Sequence, residues 1–130
     1  MKECKGKPIN AKEDKIMRIL LVEDNRADAR LIQERLKRDS HAQFELVHAV
    51  RLYEALQQLE EGVFDVVLLD LGLPESQGID TFHRVHEQAP SVPIVMLSGL
   101  ADEALAIETV RQGAQDYLAV SYTHLRAHET

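Results

Sequence analysis

Three short apolar runs in this chain end in groups that could do chemistry together. ILLV (residues 19–22) leads into Glu23 and Asp24, VVLL (66–69) into Asp70, and IVML (94–97) into Ser98 and Gly99. If the runs are neighbouring strands of one sheet, these groups share a rim. Carboxylates brought that close repel one another, and a bound divalent cation relieves the repulsion. Oxygen ligands suit Mg²⁺, which binds through one or two carboxylates and keeps several waters plus a phosphate oxygen. A carboxylate beside Mg²⁺ can attack phosphorus and form an aspartyl phosphate. Asp70 suits that task because the apolar strand before it holds it rigidly at the sheet edge. Ser98 could donate its hydroxyl to a phosphoryl oxygen, with backbone N–H groups helping, and Gly99 leaves the backbone free to approach. Taken singly, an acid at a strand end reads more often as a helix cap or a solvated loop residue. The constellation outweighs that reading, because three strand ends carry suitable groups in a suitable order.

The elements that must position these groups alternate along the chain. Ile19–Val22, Phe44–Val47, Val66–Leu69 and Ile94–Leu97 read as buried strands, and Tyr117–Ala119 as a weaker fifth. Continuous apolar runs, as opposed to alternating ones, fit a parallel sheet covered on both faces. Between them lie amphipathic helical segments: Ala27 to Arg38, a second carrying Leu52, Ala55, Leu56 and Leu59, a third carrying Ile79, Phe82, Val85 and His86, and a fourth carrying Ala104, Leu105, Ile107 and Val110. Gly62, Pro74, Gly78, Pro90, Pro93, Gly99 and Gly113 are expected between elements. Strand–helix alternation beginning with a strand predicts an α/β, doubly wound, five-stranded parallel sheet with right-handed crossovers. Its binding crevice should lie at the carboxyl ends of the strands, where the acids are.

Composition narrows the function classes. A chain of 130 residues fits one domain with a real hydrophobic core. A net charge of −7 argues against non-specific binding to nucleic acid or to anionic membranes. Cys4 is the sole cysteine, so no internal disulfide forms, and no apolar run approaches the roughly 20 residues that span a bilayer. Residues 1–16 are expected to be a disordered leader without the apolar stretch of a secretion signal, and the location to be cytoplasmic.

Four motifs carry a resemblance: RILLVEDN (18–25), FDVVLLDLGLP (64–74), VPIVMLSG (92–99) and GAQDYL (113–118). Together they resemble the response-regulator receiver family of two-component signalling, over Met17 to Leu118. The resemblance implies a flavodoxin-like receiver topology in residues 17–119, with Asp70 as the phosphoacceptor. It implies that Asp24 binds Mg²⁺ directly, Glu23 through water, and Gly72 through its backbone carbonyl. Ser98 matches the hydroxyl residue that moves toward the phosphoryl group, and Tyr117 the aromatic switch that turns inward after it. The partner implied is a histidine kinase or phosphotransfer protein, with a fused or separate output domain read through the helix Asp102–Gln112 and the last strand. Neither nucleic acid nor membrane is implied as a direct partner.

The resemblance breaks at one place. The family carries a lysine three residues after the switch aromatic, and here that residue is Val120, with no lysine anywhere after Lys37. An ammonium there would pair with the phosphoryl oxygens. Val120–Thr130 has no helical apolar stripe where a fifth helix belongs, and it matches the translation of a transposase-type sequencing adapter. The expectation is therefore a truncated receiver whose natural sequence stops at Leu118 or within codon 119, followed by a non-native tail. The alternative is a pseudo-receiver, a phosphorylation-independent interaction module, with Val120 natural. A phosphatase of the aspartyl-phosphate kind fits least, because it wants a second Asp where Gly72 stands. His83 and His86 are spaced like metal ligands but too few, and His86 falls on an apolar stripe, so both read as packing or surface residues. His41 and His48 have no evident partner, and His124 and His128 lie in the tail.

Overall fold

The computed structural model describes residues 16–39, 43–73, 78–98 and 103–119. Nine elements alternate among the described residues: β1 (Met17–Val22), α1 (Arg26–Asp39), β2 (Phe44–Ala49), α2 (Leu52–Glu61), β3 (Val66–Asp70), α3 (Gly78–Gln88), β4 (Ile94–Ser98), α4 (Glu103–Arg111) and β5 (Asp116–Ala119). The strands form one parallel sheet in the order β2-β1-β3-β4-β5. This is the flavodoxin-like, doubly wound arrangement expected, and the order reverses at β1 and β3. The residues of the fifth helix position, and the tail reading with them, lie outside the described residues.

The apolar runs are continuous because both sheet faces are covered. Leu20, Val22, Val67, Leu69, Ile94 and Met96 face one way and pack with Leu52, Ala55, Phe82, Val85 and Ala106 from α2, α3 and α4. Ile19, Leu21, Leu68 and Leu97 face the other way and pack with Ala29 and Ile32 of α1. Leu118 of β5 is 51% exposed. All five strands exceed their expected limits, β3, β4 and β5 by one residue each and the first two by more: β1 starts at Met17, and β2 continues to Ala49 because His48 and Ala49 keep pairing with Leu21 and Val22. Gly78 is the first residue of α3 and not an inter-element residue. Its φ of +54° favours glycine, and an added Cβ would fall 2.8 Å from the Leu105 side chain. His86 does pack, with its ring stacked on Phe82 at 5.3 Å between centroids.

Candidate functional site

Glu23 and Asp24 follow β1 directly, and Asp70 is the last residue of β3. Val22 pairs with Leu69 in register, so the next residues of the two strands, Glu23 and Asp70, come side by side at the carboxyl end of the sheet. One carboxylate oxygen from each of Glu23, Asp24 and Asp70 lies within 4.8 Å of the others. Glu23 forms the floor at 2% exposure, Asp70 is half-buried, and Asp24 is exposed at the mouth.

Hydrogen bonds fix this floor. The Glu23 carboxyl is hydrogen-bonded to Asp70, and its Oε2 accepts the Asn25 N–H at 3.2 Å. Asp70 Oδ1 accepts the Gly72 N–H at 3.2 Å. Burial pushes the Asp70 carboxyl above its ordinary value, and the charges of Asp24 and Asp28 push it the same way. The Gly72 amide and the Glu23 hydrogen bond pull it back in part. A site that disfavours the ionised form of one of its own carboxyl groups, with hard oxygen donors converging on one point, suits a small divalent cation.

The cap reading of the strand-end acids is answered by Asn25. Its Oδ1 accepts the Asp28 N–H at 2.9 Å and its carbonyl accepts the Ala29 N–H, so Asn25 caps α1. Asp24 makes no hydrogen bond or ion pair among the described residues, which leaves its carboxylate available to a ligand.

Gly72 stands next to Asp70. Among the described residues, a Cβ there would meet only the two Asp70 carboxylate oxygens, each at 4.0 Å, so the glycine keeps the approach to Asp70 open. Ser98 ends β4 one residue beyond Leu97, the partner of Asp70, which puts its backbone at the same rim. Tyr117 lies farther back on β5, opposite Met96, half-buried against the larger core cluster. Glu23, Asp24 and Asp70 are thus brought together with Gly72 beside them, while Tyr117 stands apart from the acids. Sequence reasoning missed Asn25 as the cap, Asp28 as a buried acid at 6% exposure, and His48, whose Nε2 lies 2.7 Å from the Glu23 carbonyl oxygen. An Asn before a helical stripe is a readable cap signal. The other two depend on contacts that no local pattern encodes.

The response regulator receiver domain family matches residues 19–125. The chain belongs to that family. Among curated proteins, this receiver domain is 30% identical to the transcriptional regulatory protein ZraR of Salmonella typhimurium over 112 residues, 86% of this chain and 25% of that protein. It is 37% identical to the luminescence regulatory protein LuxO of Vibrio campbellii over 65 residues, 50% of this chain and 14% of that protein. It therefore spans a quarter or less of these relatives. Among solved structures it superposes on the phosphorylated cyanobacterial phytochrome response regulator RcpA with a TM-score of 0.72 and 28% identity, covering 88% of each chain. A response regulator receiver domain from Clostridium thermocellum gives 0.70 and 26%, covering 85% of this chain and 88% of that one. Receiver domains are signalling modules of two-component systems, and they interact with histidine kinases or phosphotransfer proteins. Among the described residues, no helix is long and apolar enough to cross a membrane.

Proposed function

We propose that this receiver domain accepts a phosphoryl group on Asp70 from a histidine kinase or phosphotransfer partner in the cytoplasm, in a Mg²⁺-dependent reaction. The observation that carries the reading is the convergence of Glu23, Asp24 and Asp70 within 4.8 Å beside an open approach at Gly72. Asp24, Asp70, the backbone carbonyl of Gly72 and, through water, Glu23 would hold the cation. When bound, Mg²⁺ neutralises charge on the phosphoryl oxygens and on the crowded carboxylates. An Asp70 oxygen attacks phosphorus, a P–O bond forms as the donor's P–N bond breaks, and the leaving imidazole takes a proton. Ser98 donates its hydroxyl to a phosphoryl oxygen and, with Tyr117, forms the switch that biases the face of α4 and β5. That face passes the signal to a fused or separate output domain.

Val120 favours a second reading, the pseudo-receiver, since a valine supplies no charge to the phosphoryl oxygens. Incubation with acetyl phosphate and Mg²⁺, followed by intact mass measurement, separates the two. A gain of one phosphoryl group, absent in Asp70→Asn, is expected. No gain in the native chain or in Val120→Lys would leave the interaction module.

A further inference from the structure

We propose that His48 is a positioning residue for the acidic pocket, its imidazole pinning the peptide that joins Glu23 to Asp24. The inference rests on the reading of that pocket as a Mg²⁺ site. In a parallel ladder, a residue that donates its N–H to a neighbouring strand accepts at its own carbonyl the N–H two residues further along that strand. The Glu23 N–H donates to the Ala49 carbonyl at 3.1 Å, so continuing the ladder would place the Arg51 N–H on the Glu23 carbonyl. The chain departs from the ladder at that point. The Val50 and Arg51 N–H groups both donate to Glu54 Oε1, at 3.0 and 3.3 Å, as the backbone turns into α2.

His48 takes the vacated role. It pairs with Leu21 in register, two residues before Glu23, and its Nε2 lies 2.7 Å from the Glu23 carbonyl oxygen. A carbonyl only accepts, so Nε2 carries the proton and donates. The Glu23 carbonyl is coplanar with the Asp24 N–H, so holding the oxygen fixes the peptide plane on which both side chains hinge. With Ala49 on one side and His48 on the other, β2 clamps the backbone that aims two of the three carboxylates. Partners at one remove from a metal matter because they orient the groups that touch it.

The test uses the full chain with His48→Leu, which keeps bulk and removes the donor, and His48→Gln, whose amide nitrogen reaches the Nε2 position. Mg²⁺ affinity is measured by calorimetry, with thermal melting of the metal-free proteins alongside. The expected result is Mg²⁺ binding roughly tenfold weaker in His48→Leu and largely restored in His48→Gln. In the metal-free protein, the Asn25 amide, which donates to Glu23 Oε2, should exchange several-fold faster in His48→Leu and recover in His48→Gln. Native affinity in His48→Leu, or equal weakness in both variants, overturns the proposal whatever the melting temperatures do. If the native chain itself takes up no Mg²⁺, the metal reading fails separately. Amide exchange then decides on His48, and unchanged Asn25 exchange in His48→Leu would overturn it.

Discussion

At the amino end of the sheet Arg18 is held by contacts of several kinds, whereas at the carboxyl end three carboxylates converge. The Arg18 Nε pairs with Glu45 Oε1 at 3.0 Å, its Nη1 donates to the Val63 carbonyl at 3.0 Å, and its guanidinium lies 4.7 Å from the Phe64 ring centroid. Its backbone N–H is accepted by Asp65 Oδ2 at 2.8 Å. Opposite charges meet there, and the arrangement ties β1 to the start of β3. At the other end, among the described residues, no basic side chain is among the groups that set the Asp70 carboxyl, and burial together with two acids pushes it upward. One end of the sheet spends its charges on holding the fold, and the other keeps like charges together at a cost that a ligand can remove.

The largest effect that could break this contrast is loss of phosphoryl uptake. Asp70→Asn should abolish the acetyl phosphate mass gain, and Arg18→Ala should leave it intact when measured well below its melting temperature. Next in size is stabilisation by metal. Mg²⁺ at about a hundred times its dissociation constant should add about 2.7 kcal/mol, or roughly 10 °C in melting temperature, and Asp24→Asn should erase most of that gain.

Arg18→Ala should then cost about 1–2 kcal/mol in urea unfolding, from the lost ring contact and carbonyl hydrogen bond. Glu45→Gln should cost under about 0.5 kcal/mol, since that ion pair is exposed. The pH dependence is subtler. Asp70 has a raised value in the fold, so its contribution to stability is full below the ordinary carboxylate value and is lost as pH rises through the folded one. Metal-free Asp70→Asn should therefore gain on the native chain as pH rises from below the ordinary carboxylate value through the higher folded one. Equal pH profiles for the two proteins would mean that neither burial nor the neighbouring acids disfavour the ionised Asp70.

Much of this was legible in the sequence because it is local. An apolar run that ends in an acid announces both a buried strand and a charged rim, so β1, β3, Glu23, Asp24 and Asp70 could be read together. The receiver topology followed from strand–helix alternation and from the four motifs. The less legible features depend on register. His48 has no local signal for its role, since its partner is set by the β1–β2 pairing and by Glu54 drawing away the Arg51 N–H. Asp28 sits in the first turn of α1 and looks like an ordinary first-turn acid. Only the packing of α1 on the sheet buries it close enough to act on Asp70. Gly78 resembled a linker glycine, but it heads α3, where its positive φ and the nearby Leu105 side chain leave no room for a Cβ.

The central claim is that the crowded carboxyl end exists to take phosphate at one residue. It is tested most directly by trapping: acetyl phosphate with and without Mg²⁺, borohydride reduction of any acyl phosphate, and peptide mapping by mass spectrometry. The account predicts homoserine at position 70 alone, formed only with Mg²⁺. Reduction at another carboxylate, or equal labelling after the metal is chelated, would contradict it.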